Sequence, residues 1–240
     1  METTKLRRVD FVFRPDNTCI DVLRKTLQRD ADDIIIELID SGLKGRGGAG
    51  FLTGLKWKLA KEAEGDIKYV ICNADEGEPG TFKDREILDR VPRRVLTGMA
   101  ICAHTIGAKE GFIYLRAEYK FLAPRLKAVI AEMNEEFKKL GLDFCISLRY
   151  GSGAYVCGEE TALIDSMEGR RGEPRNKPPF PVTEGYLNKP TVVNNVETFV
   201  NCCIIANIGG EEYKKFGTDN SRGFKLFSVS GDCAKEGVFE

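Results

Sequence analysis

The sequence predicts an α/β protein whose core has three layers built around a mostly parallel sheet. Three observations carry that expectation. Short apolar runs of strand character alternate with longer segments of helical periodicity, the pattern of crossover connections between parallel strands. Polar and glycine-rich turns fall where the apolar runs end, which is where such sheets carry their ligand groups. A chain of 240 residues at 42% hydrophobic content can also bury one large core, or one core and a fragment of a second.

In chain order, residues 32–42 set Ile35, Leu38 and Ile39 at helical spacing, open on Asp32 and Asp33, and end at Gly42, where a helix would be capped. Four glycines then fall within residues 45–50, with Arg46 among them. Residues 68–73 read as a buried strand that runs into an acidic loop, 73–81. A helix is predicted over 93–107, after Pro92 and closed by Gly107, followed by a strand over 111–116. Leu122, Leu126, Val129, Ile130 and Met133 mark an amphipathic helix over 119–140, ended by Gly141, and 144–149 is a third strand. A second glycine turn, 151–155, leads to a helix over 159–167. Residues 169–190 are rich in proline and cations and suit neither helix nor central strand; they predict a rigid loop that displays Lys177 and Phe180. A helix begins near Asn194 and Asn195 and runs to Ile208, and a last strand starts at Phe224.

The glycine turn and the acidic loop together point to a nucleotide-like cofactor. Unencumbered backbone amides suit a phosphate, and carboxylates with an amide suit hydroxyls and a heterocycle edge. Gly45, Gly47 and Gly50 match the spacing of the Rossmann dinucleotide motif, but that motif needs a strand before it, and here a helix leads in. The phosphate-loop pattern fails as well, because Phe51 follows Gly50.

Composition narrows the function classes. A net charge of −1 and the lack of a basic run give no argument for nucleic acid. No apolar run approaches the roughly 18–20 residues of a membrane span. Lys5, Arg7 and Arg8 precede no apolar stretch, so no signal peptide is expected, and the chain reads as cytoplasmic or as peripheral on the cytoplasmic side of a membrane complex. The eight cysteines form no C-x-x-C pair and there is one histidine, His104, so no metal site is expected in the chain; the cysteines and His104 read as packing residues.

Five motifs in order, 45–57, 73–82, 151–162, 177–181 and 193–198, give a resemblance that spans nearly the whole chain from Asp32 onward. The chain resembles the FMN-binding flavoprotein subunit of complex I-type NADH dehydrogenases, a family that includes the diaphorase subunits of NAD-reducing hydrogenases and formate dehydrogenases. The resemblance implies FMN along the glycine turn, with Gly45, Arg46, Gly47, Gly48 and Lys56 flanking the flavin and its phosphate. It assigns Asn73, Asp75 and Glu76 to the ribityl chain and ring edge, Gly158 and Glu159 to the isoalloxazine, and Asn194, Asn195 and Thr198 to the phosphate. For NADH it implies Phe51 and Phe180 around the adenine, with Lys177 on the same loop, Glu78 at the adenosine ribose, and Tyr155 and Glu160 at the nicotinamide end. A carboxylate at the ribose favours NADH over NADPH. Leu59 stands where many members have a further aromatic, which would weaken adenine stacking by roughly 0.5–1.5 kcal/mol.

The implied activity is that of a diaphorase: hydride moves between NAD(H) and FMN, Glu159 and Glu160 position and tune the site, and no acid–base dyad is needed. Electrons would pass to iron–sulfur partners, a thioredoxin-like 2Fe-2S subunit and a larger iron–sulfur subunit. The family's 4Fe-4S cluster belongs to a later domain, and this chain has no ligands for it. The expected organisation is an N-terminal extension over 1–30, the FMN/NADH domain over 31–221, and over 222–240 the first strand of an incomplete β-grasp-like domain. A binding module that holds FMN or NADH without independent turnover is the alternative, and bound flavin that NADH does not bleach would mark it.

Overall fold

A computed structural model describes residues 10–14 and 18–240, so Lys5, Arg7, Arg8 and the rest of 1–9 and 15–17 of the expected extension lie outside the described residues. The chain begins with three helices, α1 (Cys19–Thr26), α2 (Ala31–Asp40) and α3 (Thr53–Glu62). It then enters β1 (Tyr69–Ala74), α4 (Lys83–Arg90), α5 (Pro92–Ile106) and β2 (Glu110–Leu115). A 3-10 turn, Ala117–Leu122, precedes α6 (Ala123–Lys139) and β3 (Cys145–Tyr150). Next come α7 (Glu160–Met167), the short α8 (Pro181–Glu184), β4 (Thr191–Asn195) and α9 (Val196–Ile208). The short α10 (Gly210–Tyr213) leads to two small hairpins, β5 (Gly217–Thr218) with β6 (Ser221–Arg222), and β7 (Phe227–Val229) with β8 (Gly237–Phe239).

The main sheet runs in the order β3-β2-β1-β4, and every pairing in it is parallel. Side chains alternate across it as strand geometry requires. Val70, Cys72, Ala74, Ile113, Leu115 and Val192 face the larger core, against α5, α6 and α9. Tyr69, Ile71, Phe112, Tyr114 and Val193 face a smaller one, closed by Leu163 and Ile164 of α7. Helices thus cover both faces, and the expected three layers are present. The helix expected before the glycine turn is α2, capped at its start by Asp30 and followed by Gly42 with φ +69°.

Several boundaries differ from the sequence reading for physical reasons. The helix expected to start at residue 119 begins as a 3-10 turn and becomes α-helical at Ala123, with Pro124 in the first turn, where its missing N–H costs nothing. The helix expected from Glu159 starts one residue later, because Glu159 is its cap: the carboxylate accepts from the N–H groups of Thr161 (2.8 Å) and Ala162 (3.0 Å). The last strand starts at Phe227, since Phe224 and Leu226 turn inward and are buried in the larger core, where Phe224 stacks on Phe11 at 4.5 Å. Among the longer elements, the sequence reading gave none to α1, α3, α4 or β4.

Six cysteines are buried, while Cys145 and Cys233 are exposed. Burial pushes the thiols of Cys72, Cys102 and Cys202 up from their ordinary acidity. Among the described residues no helix is long and apolar enough to cross a membrane, and no group of histidine, cysteine and carboxylate side chains could hold a metal ion.

Helices α5 and α9 pack across each other at Gly98, where an added Cβ would lie 2.0 Å from the Phe199 carbonyl oxygen. Backbone cannot yield that distance cheaply. Gly98→Ala is therefore expected to destabilise the protein by about 3 kcal/mol through overpacking, read as a lower denaturant midpoint at unchanged slope.

Candidate functional site

The order of the sheet fixes where a ligand can enter. The strand after β1 in sequence, β2, lies on one side of it and β4 on the other, so the connections leave in opposite directions. The carboxyl ends of β1 and β4 then border a crevice. In register, Asn73 at the end of β1 pairs with Asn195 at the end of β4. A cavity of about 540 Å³ opens here, within the usual range for a small-molecule site.

The glycine turn forms one wall. It is a closed loop: Lys44 and Leu52 make an antiparallel bridge, and the Gly45 N–H donates to the Phe51 carbonyl at 2.8 Å. Gly48 and Gly50 have positive φ, and a Cβ built at either would meet nothing within 4 Å, so the backbone is open to an approaching group. Gly45, Gly47, Ala49 and Gly50 line the cavity, as does Phe51, with 46% of its surface exposed. The loop is tied to α9 by the Arg46 N–H, which donates to Thr198 Oγ1 at 2.9 Å. Thr198, Asn194 and Asn195 line the adjoining wall at the start of that helix, whose first amides lack intrahelical partners. Asn194, with its amide oxygen toward the buried Trp57, accepts from the indole N–H at 2.9 Å.

The opposite wall is charged. Lys56 donates to Glu160 (3.1 Å) and to the Val193 carbonyl (3.0 Å), while Lys177 donates to Glu159 (2.9 Å) and Glu160 (3.0 Å). Burial pushes the Glu160 carboxyl up, but Lys56 and Lys177 outweigh it and hold it below the ordinary glutamate range. In Glu159 burial is likewise outweighed, by the Thr161 hydroxyl and Lys177. Asn73 ties this wall to the sheet, donating to the Gly158 carbonyl at 2.9 Å. The proline-rich loop is held as the sequence suggested: Arg175 donates its N–H to Thr161 Oγ1 at 2.8 Å and pairs with Asp165. That leaves Phe180 on the cavity, 52% exposed, beside Leu59.

Six of the expected site residues sit elsewhere. The Arg46 side chain turns away from the cavity to the Arg222 carbonyl (2.9 Å) and the Tyr213 hydroxyl (3.3 Å), so it anchors the loop and does not flank a phosphate. Glu76 is buried as the cap of α4, accepting from the N–H groups of Asp84 (3.1 Å) and Arg85 (3.3 Å) and from the Tyr119 hydroxyl (3.1 Å). That leaves its carboxylate unavailable to a ribityl chain. Tyr155, 67% exposed, donates to Glu78 at 2.7 Å, and neither lines the cavity. Gly48 and Asp75 also lie outside the lining. Conversely, Pro181, Val182, Thr191 and Val193 line it without having been singled out. A strand reading of 191–195 would have revealed the last two.

The residues present fit a flavin mononucleotide. An open backbone turn and a helix start converge on one side, an ion-paired wall with Lys56 and Lys177 lies opposite, and the Phe51 and Phe180 rings face the cavity. Outside that lining one buried acceptor, Asp75 Oδ2, has no hydrogen-bond partner. Burial pushes this carboxyl up from 3.8 to about 6, against the pull of Arg116.

Comparison with known proteins agrees with this geometry. Residues 38–203 match the family model described as the Nuo51 FMN-binding domain. The chain is 49% identical over 235 residues to the NAD-reducing hydrogenase HoxS subunit alpha of Cupriavidus necator, covering 95% of this chain and 39% of that one. It is 49% identical over 228 residues to a subunit of the NADH-quinone oxidoreductase of Aquifex aeolicus, covering 91% and 52%. It is 47% identical over 224 residues to the NADP-reducing hydrogenase subunit HndC of Solidesulfovibrio fructosivorans, covering 91% and 46%. A crystal structure of an NAD+-reducing NiFe-hydrogenase in the H2-reduced state superposes with a TM-score of 0.91 at 45% identity, over 97% of this chain and 40% of that one. The chain thus spans roughly two fifths to half of the length of these relatives.

Asp75 makes stability depend on pH. Its folded-state value lies above 3.8, so the folded chain holds this proton more tightly than the unfolded chain, and the stability it confers is lost as pH rises through about 6. Asp75→Asn is expected to raise the melting temperature of the flavin-free protein near about pH 8 and to leave it unchanged below about pH 4; parallel profiles at both would refute the assignment.

Proposed function

The chain belongs to the Nuo51 FMN-binding domain family, and from that premise we propose that its cavity binds FMN and NADH together and serves hydride transfer between them, as the diaphorase module of a longer protein. The observation that carries this reading is the convergence, at the β1–β4 crevice, of an open glycine turn and a helix start with two half-exposed aromatic rings.

When bound, the flavin supplies the ring that exchanges a hydride with the nicotinamide. The rest falls to the protein. Amides of residues 47–50 and the start of α9 hold the phosphate. Phe51 and Phe180 bind adenine, with Leu59 as an aliphatic floor. The Lys56–Glu160–Lys177–Glu159 chain keeps both carboxylates ionised and stationary, which suits positioning and excludes proton shuttling at neutral pH. By the resemblance Glu78, which with Tyr155 lies outside the lining here, meets the adenosine ribose and disfavours a 2′-phosphate. We assign residues 31–221 to this domain and 222–240 to the start of a β-grasp-like unit. The electron acceptors are iron–sulfur subunits, a thioredoxin-like 2Fe-2S protein and a larger one, in a cytoplasmic or cytoplasm-facing complex.

Anaerobic addition of NADH to the FMN-loaded protein tests the reading. Rapid loss of flavin absorbance near about 450 nm, and slower loss with NADPH, is expected. Flavin that binds but stays oxidised would reduce the chain to a binding module. Phe180→Ala should raise the KM for NADH about fivefold, one aromatic contact, while FMN affinity holds.

A further inference from the structure

Behind the wall formed by Asn195 lies a buried ionic cluster to which neither the sequence motifs nor the hydride chemistry gives a task. Lys83 and Asp84 open α4, and Glu197 sits in the first turn of α9; Asp84 and Glu197 are almost fully buried. The Lys83 ammonium donates to Asp84 Oδ1 (2.6 Å), pairs with Glu197 Oε2 (3.0 Å) and donates to Asn195 Oδ1 (3.3 Å). Those three contacts use all of its N–H groups. Asn195 is engaged at both ends of its amide. Its Nδ2 donates to Asp84 Oδ2 at 2.6 Å, and its Oδ1 accepts from the Glu197 N–H at 2.9 Å as the cap of α9.

An amide so engaged at both ends is held in one orientation, with one Nδ2 N–H to spare. Asn195 lines the cavity, and a Cβ built on Gly47 would sit 3.3 Å from its own Cβ, so its position sets how the glycine turn rests against α9. The same cluster reaches two further segments. Glu76 accepts from the Asp84 N–H, joining the acidic loop, and the Leu226 N–H donates to Glu197 Oε1 at 3.0 Å. Removing one member of such a network leaves a buried charge without its partner, which costs far more than a surface pair would.

We propose that Asp84, held by Lys83 and Glu197, is a positioning residue for cofactor binding: it fixes Asn195 and thereby the spacing between the start of α9 and the glycine turn. The proposal rests on the reading that this cavity takes FMN, and it gives Asn195 a spacing role beside the phosphate contact that the resemblance implies.

The test is a double-mutant cycle on the full chain, with FMN affinity read by quenching of flavin fluorescence and folding followed by thermal melting of the flavin-free protein. Asp84→Asn keeps the shape and removes the charge. Asn195→Ser keeps a good helix cap and cuts the bond to Asp84. Each is expected to weaken FMN binding about tenfold, the weight of one charge-assisted hydrogen bond, and the double variant no further than either alone. A purely structural role would lower the melting temperature and leave the affinity of the folded fraction intact. Unchanged affinity in Asn195→Ser, or losses that add in the double variant, overturns the proposal. If Asp84→Asn does not fold, Asp84→Ser takes its place in the cycle. Wild-type protein that takes up no FMN refutes the functional reading itself, and this one with it.

Discussion

The site depends on one topological constraint: β4 joins the sheet on the far side of β1 from β2 and β3. A parallel strand must be reached by a crossover, and this one has to travel from one edge of the sheet to the other. The segment that makes the journey contains α7, the proline-rich loop and α8, and it delivers Glu159, Glu160, Lys177 and Phe180 to the crevice on its way. As soon as β4 ends, α9 begins, with no intervening loop, so strand end and helix start are a single wall. The glycine turn lies outside the sheet and meets that wall through one backbone-to-hydroxyl contact, Arg46 to Thr198.

Charge is arranged in two tiers around this crevice. The tier facing the cavity alternates in sign, so neither Lys56 nor Lys177 is left unpaired. The tier behind it, at Lys83, Asp84 and Glu197, is withdrawn from water. With side-chain charge largely neutralised in both tiers, backbone dipoles become the unsatisfied partners for an anion. This is why a wall with two carboxylates remains compatible with a phosphate group nearby.

The periodic elements were legible: α2, α5 and α6 announce themselves by apolar spacing and a terminal glycine or proline, and β1 to β3 by short apolar runs that end at polar or glycine turns. β4 was hidden because its five residues end in Asn194 and Asn195, which signal a helix start; both readings are right, and the strand uses the residues the helix needs. α4 was hidden by its opening run of Lys83, Asp84, Arg85 and Glu86, which has no apolar face. That omission explains the error at Glu76, since a carboxylate before an unseen helix start cannot be recognised as its cap. Arg46 misled for a different reason. The motif locates its backbone correctly, but the acceptors that draw its side chain away, at Tyr213 and Arg222, are distant in sequence and become neighbours only in the fold. Lys56, Lys177, Glu160, Phe51 and Phe180, expected from motif positions, all line the cavity.

The distribution of sulfur carries a consequence for durability. Oxidants form wherever reduced flavin meets oxygen, and thiolates are what they attack first. Cys72, Cys102 and Cys202 are both inaccessible and held protonated, which makes them inert bystanders to any such leakage. Cys145, on the edge strand, and Cys233, in the last hairpin, are the thiols in contact with solvent. Oxidative wear would therefore begin at the periphery and leave the packing beneath the crevice intact.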